Sequence, residues 1–193
     1  MTTHKDQLIS FLQEIRYPRT DELISRLNLY AETLYETNQL INLVSRKTPL
    51  DWYWTHHFLD SLLPAKCMDF SGKTVLDFGT GGGLPGVPIW LAFPDTQMYL
   101  LDATHRKIDA LKTILSALHL DPERTVCSRL EDYALLKDRP SFDFILCRAV
   151  ALEPRYIKPL RSLLKHNGEI LFYKAQRIED IEALPYREIC KMQ

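Results

Sequence analysis

The densest cluster of chemically specialised residues is Asp77-Phe78-Gly79-Thr80-Gly81-Gly82-Gly83-Leu84-Pro85-Gly86, where an apolar run ends on a carboxylate and passes straight into glycines. From Gly81 the run satisfies G-x-G-x-x-G, the loop by which a strand-to-helix turn admits a nucleotide-type cofactor. Asp77, two residues before the first glycine, would repel a pyrophosphate but suits a ligand carrying an ammonium group. S-adenosyl-L-methionine carries an ammonium and a sulfonium and no phosphate. Gly79, Gly81 and Gly83 are expected to let the backbone approach its methionine part and ribose. A glycine-rich turn that holds nothing, and an NAD site read from the literal motif, stand as alternatives.

The next acid, Asp102, ends a second apolar run about twenty residues beyond the loop, where a carboxylate accepts hydrogen bonds from ribose hydroxyls. That spacing serves NAD and S-adenosyl-L-methionine equally, and a helix-capping Asp102 is the plainer reading. Ser128-Arg129-Leu130-Glu131-Asp132 follows a third run, at the place for an adenine. A fourth run ends Cys147-Arg148-Ala149. Cys147 sits at an alternate position of that apolar run and reads as a buried, inert thiol rather than a nucleophile. Arg148, a guanidinium at the mouth of such a site, must meet a carboxylate, a phosphate or a base edge.

The elements that carry these residues follow from periodicity. Apolar runs at Thr74–Phe78, Met98–Leu101, Thr125–Cys127, Phe142–Leu146 and Ile170–Tyr173 read as strands, with helices near 87–93, 105–118, 154–165 and 178–184. This alternation predicts an α/β fold, a doubly wound and mostly parallel sheet covered on both faces, with ligands at the carboxyl ends of its strands. Before residue 70 the spacing is helical: Leu8, Phe11, Leu12 and Ile15, then Leu23, Leu27, Tyr30 and Leu34. A third helix is expected to open at Thr48, with Pro49 in its first turn and Asp51 completing a capping box, and to end near Pro64. The division predicted is a helical extension over 1–70 and a cofactor-binding core over 71–193.

Composition narrows the class. The 193 residues are 46% hydrophobic and 25% charged, with a net charge of -1, so one globular domain with an appendage is expected and a strongly basic nucleic-acid binder is not. Cys67, Cys127, Cys147 and Cys190 show no C-x-x-C pairing, which argues against a zinc site or a disulfide framework. The longest apolar stretch, Leu84–Phe93, is far short of a membrane span and holds two prolines, so a cytoplasmic protein is expected.

The run VLDFGTGGGLPGVP, the later SRLEDY, CRAV and YKAQ, and upstream Asn38, Ile41-Asn42-Leu43-Val44-Ser45 and His57-Phe58-Leu59-Asp60-Ser61 together resemble the bacterial 16S ribosomal RNA guanine-N7 methyltransferase family RsmG, or glucose-inhibited division protein B. The resemblance covers about residues 30 to 185. It implies a Rossmann-like class I methyltransferase fold that uses S-adenosyl-L-methionine, with Gly79, Leu84, Leu130, Glu131 and Arg148 lining the cofactor pocket and Arg148 also close to the substrate. Two departures stand out. Lys174-Ala175 replaces the Lys-Gly usual in the family, and the chain ends at Gln193 where the family continues into a final antiparallel strand. The core is therefore expected without that strand, and a non-catalytic homologue stays an alternative, as does a methyltransferase for a small molecule or a protein.

The chemistry agrees with the resemblance. Guanine N7 has a lone pair and no proton to lose, so its methylation needs placement and no general base, and the sequence offers no convincing base. Arg148 and Lys174 are the candidate catalytic residues, orienting a phosphate or bonding to O6. Residues 148–177 hold Arg148, Arg155, Lys158, Arg161, Lys165, Lys174 and Arg177 against Glu153 and Glu169, a candidate strip for the RNA backbone of the small ribosomal subunit. His56, His57 and Asp60 are one turn apart and are expected to pin the extension to the core, with no metal. The protein is expected to act as a monomer.

Overall fold

The computed structural model describes residues 2–174 and 179–182. Helix α1 (His4–Glu14) opens on a capping box, with Thr3 Oγ1 accepting from the Asp6 N–H and Asp6 Oδ2 accepting from the Thr3 N–H. Helix α2 (Thr20–Leu40) buries Leu23, Leu27, Tyr30, Leu34 and Asn38, the stripe that the periodicity predicts.

The expected third helix is broken into pieces. A 3-10 turn (Leu50–Trp52) leads into a π-helical segment (Trp54–Leu59), a short α3 (Asp60–Leu62) and a further 3-10 turn (Leu63–Lys66). No side-chain cap forms at its start, so the Thr48–Asp51 box is not made. The segment buries Tyr53, Trp54, Thr55, His57 and Phe58. That is more of its circumference than a 3.6-residue turn points to one side, and the backbone widens to accommodate it.

From Thr74 the chain builds β1 (Thr74–Phe78), α4 (Gly86–Ala92), β2 (Gln97–Asp102), α5 (His105–Ala117), β3 (Thr125–Cys127), α6 (Leu130–Leu135), β4 (Phe142–Arg148), α7 (Pro154–Leu163) and β5 (Leu164–Tyr173). The five strands pair in parallel in the order β3-β2-β1-β4-β5. The order reverses between β1 and β4, which opens a crevice at their carboxyl ends. Strand alternation splits the interior in two. Val75, Met98, Leu100 and Leu146 face α2, α4 and α5 in one cluster, and Leu76, Leu101, Ile145 and Cys147 face α6 and α7 in the other. The first cluster also contains Leu27, Tyr30, Leu34 and Phe58, so the amino-terminal helices share their core with the sheet.

Helix α6 escapes the periodicity because six residues are too few to show it. The helix expected near 178–184 falls mostly outside the described residues, and 179–182 form turns. The expectation about a final antiparallel strand falls on 183–193, also outside them. Among the described residues no helix is long and apolar enough to cross a membrane.

Candidate functional site

The glycine loop is pinned at both ends. The amides of Gly79 and Thr80 both donate to the Leu101 carbonyl, at 2.9 and 3.0 Å, which fastens the end of β1 to β2. Asp77 is fully buried, and its Oδ2 accepts from Thr80 Oγ1 at 2.7 Å and from the Gly86 N–H at 2.9 Å. One carboxylate oxygen thus closes the loop on itself, while Oδ1 is buried without a partner. Burial pushes the Asp77 carboxyl up to about 6, against the pull of Thr80, Gly86 and Arg148. A buried carboxylate with an orphaned oxygen suits a cationic guest.

The glycines serve the fold as well as a ligand. Gly79, Gly81 and Gly83 have φ of +77°, +54° and +99°, where a side chain is strained. A Cβ on Gly83 would stand 2.5 Å from Val87 Cγ2 and 3.0 Å from the Tyr30 hydroxyl, and one on Gly82 would stand 2.9 Å from Leu34 Cδ1. These two positions are therefore bare to admit α2 and α4. Tyr30 completes the contact by donating to the Gly82 carbonyl at 2.8 Å. The room expected for a cofactor at Gly83 is taken by the protein's own helices, and Leu84 is likewise buried.

A cleft of ≈ 330 Å³ opens at the carboxyl ends of β1, β2 and β3. It brings Gly79, Asp102, Leu130 and Glu131 into one wall, together with Phe78, Ser128, Arg129, Val150, Arg155 and Tyr156. Asp77, Gly81, Gly83, Leu84, Arg148 and Lys174 do not line it. Asp102 is already bonded: Oδ2 accepts from the Gly81 N–H at 3.1 Å, Oδ1 from the Thr104 N–H at 2.9 Å, and Lys107 Nζ stands 3.9 Å away. It ties the glycine loop to the start of α5.

Arg148, at the end of β4, meets a carboxylate of its own chain. Its Nε lies 3.1 Å from Asp60 Oδ2, and NH2 donates to the His56 carbonyl at 2.6 Å and approaches His57 Nδ1 at 3.2 Å. The guanidinium is thereby locked to the amino-terminal helical run. His57 is buried, and burial, with the nearby Arg148 charge, pulls its pKa down to about 4, so the ring is neutral, and its Nδ1 also lies 3.0 Å from the His56 carbonyl. Burial pushes the Asp60 carboxyl up, opposed by Arg148.

Lys174, the other candidate catalytic residue, is paired within the chain. Its ammonium is spent on Asp180 at 2.5 Å and on the Val150 carbonyl at 3.4 Å. Asp180 in turn accepts from the Leu152 N–H at 2.7 Å, so this pair braces the 149–152 loop beside the cleft. The basic strip is also dispersed. Arg148 and Lys174 sit at the carboxyl ends of β4 and β5, but Lys165 sits at the opposite end, paired with Asp143 at 2.7 Å. Arg155 lines the cleft, 3.6 Å from Glu131 and 2.9 Å from Glu153. Arg177 lies outside the described residues. Lys158 and Arg161 are exposed on α7.

Sequence reasoning left Phe78, Val150 and Tyr156 out of the site. Phe78 ends β1 and Val150 follows the end of β4, where apolar character was the available signal, whereas Tyr156 comes from the first turn of α7. Cys147 is buried, and burial raises its pKa, which keeps the thiol protonated and unreactive. Among the described residues no group of three or more His, Cys, Asp or Glu could hold a metal ion.

Comparison with known proteins adds to this geometry. The family model described as rRNA small subunit methyltransferase G matches residues 23–192. The Ribosomal RNA small subunit methyltransferase G of Chlorobaculum tepidum is 38% identical over 89% of this chain and 78% of its own length. That of Desulfitobacterium hafniense is 33% identical over 87% and 70%. Among solved structures, a putative O-methyltransferase from Klebsiella pneumoniae superposes with a TM-score of 0.56 at 18% identity, over 74% of this chain and 64% of that one. The O-methyltransferase from Bacillus cereus in complex with SAH gives 0.54 at 19%, over the same shares. At these identities the two structures establish the fold, that of the class I methyltransferases.

Proposed function

This chain belongs to the rRNA small subunit methyltransferase G family, and from that membership we propose that it transfers a methyl group from S-adenosyl-L-methionine to N7 of a guanine in 16S ribosomal RNA. The observation that carries this reading is the cleft beside the glycine loop, where Gly79, Asp102, Leu130 and Glu131 share one wall. Its volume lies at the low end of small-molecule sites. The residues fit the cofactor: Asp102 and Glu131 put two carboxylates on the cleft for hydroxyls, and Asp77, buried beneath the glycine loop with Oδ1 unpaired, supplies negative charge that favours an ammonium beside the loop. Bound there, S-adenosyl-L-methionine supplies an electrophilic methyl carbon on a sulfonium.

The protein's task is then to hold guanine N7 in line with that carbon and to keep water away. N7 carries no proton, so the transfer needs no general base. Arg148 orients the guanine edge from the end of β4, and Lys174 acts on the 149–152 loop through Asp180 rather than on the base. Residues 56–61 of the amino-terminal helical part hold Arg148 in place. This substrate places the protein's work in the cytoplasm.

The test is incubation with small ribosomal subunits and labelled S-adenosyl-L-methionine, followed by borohydride and aniline cleavage of the 16S RNA, which breaks the chain at N7-methylguanine. Chain cleavage that depends on prior incubation with the enzyme, with the label released on the excised base, is expected. Label on protein, on another base atom or nowhere would overturn the reading.

A further inference from the structure

Among the described residues, the hydrogen bonds and the ion pair that fix the Arg148 guanidinium come from residues 56–61. A guanidinium has five donors in a rigid fork. Here Nε is taken by Asp60 at 3.1 Å, NH2 by the His56 carbonyl at 2.6 Å with His57 Nδ1 3.2 Å away, and NH1 makes only a long contact, 3.5 Å to Ser61 Oγ. The clamp is itself held. Ser61 Oγ donates to the His57 carbonyl at 2.5 Å, and the Tyr173 hydroxyl, from the end of β5, donates to the Ser61 carbonyl at 3.0 Å. Of the clamp's side chains, Asp60 is the one that supplies a countercharge, because His57 is neutral.

We propose that Asp60 is a positioning residue for the methyl transfer: its carboxylate, with the His56 carbonyl and Ser61, fixes the direction of the Arg148 fork at the end of β4, from which the guanidinium orients the guanine. The inference rests on the function proposed above. It makes the amino-terminal extension part of the reaction machinery, although Asp60 touches neither the cleft nor its contents. Removing one partner of a partly buried ion pair leaves the other charge uncompensated and free to choose another geometry. Misplacement by about 1 Å of a group that orients a substrate costs up to about 100-fold in rate.

The experiment compares wild type, Asp60→Asn, Arg148→Gln and the double variant in methyl transfer to small subunits, with S-adenosyl-L-methionine affinity measured by calorimetry without RNA. Asp60→Asn is expected to lower kcat roughly 10- to 100-fold while cofactor Kd and KM change little, and to have no further effect in the Arg148→Gln background. An equal loss in both backgrounds, or a wild-type kcat in Asp60→Asn, overturns the proposal while leaving the functional reading intact. A wild type that transfers no methyl overturns both. Should Asp60→Asn give no folded protein, Asp60→Glu decides instead, because it keeps the charge and moves it by one methylene. A reduced kcat with unchanged cofactor Kd supports positioning, and a wild-type kcat refutes it.

Discussion

Replacing Asp77 by Asn removes a charge and keeps the shape, and the structure says what that charge costs. Thr80 Oγ1 and the Gly86 N–H both donate to Asp77 Oδ2, a position that an amide oxygen fills equally well. The carboxyl is pushed from 3.8 to about 6, first by burial, which corresponds to roughly 3 kcal/mol in favour of the neutral form. Because the folded value is raised, the folded state holds the proton more tightly than the unfolded chain does. Stability from this group is full below pH 3.8 and is lost as pH rises through about 6. His57 opposes it: its pKa is lowered from 6.5 to about 4, mainly by burial, so its contribution grows as pH rises through the same window. Wild type should therefore be nearly flat between pH 4 and 6.5, whereas Asp77→Asn should gain roughly 3 kcal/mol over that range. Urea unfolding at a series of pH values measures both curves. Calorimetry at pH 7.5 should show the variant weakened toward S-adenosyl-L-methionine by roughly 1–3 kcal/mol, for the lost charged hydrogen bond. Parallel stability curves would refute the burial argument, and unchanged cofactor affinity would refute the pairing of Asp77 with the ammonium.

Other outcomes follow from single contacts. Gly83→Ala places a Cβ 2.5 Å from Val87 Cγ2 at a φ of +99°, and should cost roughly 2–5 kcal/mol of stability in urea without any ligand. Gly81→Ala meets the Leu43 carbonyl at 3.4 Å and the Gly79 carbonyl at 4.0 Å, both ordinary contacts, and should cost roughly 1–2 kcal/mol from the backbone alone. Arg155→Ala, which frees Glu131 in the cleft wall, should change cofactor affinity by calorimetry in the absence of RNA, which a residue serving only phosphate would not do. Lys158→Ala and Arg161→Ala, on the exposed face of α7, should weaken binding to 16S RNA and lower its salt slope by about one each, with cofactor affinity unchanged.

Much of the architecture is legible along the chain, because periodicity and punctuation are local properties. Residues 74–78 read as a strand with the right ends, since an apolar run stops at glycines. The stripe of Leu23, Leu27, Tyr30 and Leu34 marks α2, and the carboxylate that ends the second strand marks Asp102, whereas Glu131 is marked by the resemblance to the family. The segment at 50–66 misled because its pattern of buried residues was too dense for one helix, a fact visible only once its neighbours are in place. The roles of the glycines divided for the same reason: Gly82 and Gly83 are bare on account of Leu34 and Tyr30, about fifty residues earlier. Arg148 meets residues some ninety positions away, and the cations between Arg148 and Lys174 run from one end of the sheet to the other. Which charge meets which is set by strand order and register, and these come from long-range packing that no local window contains.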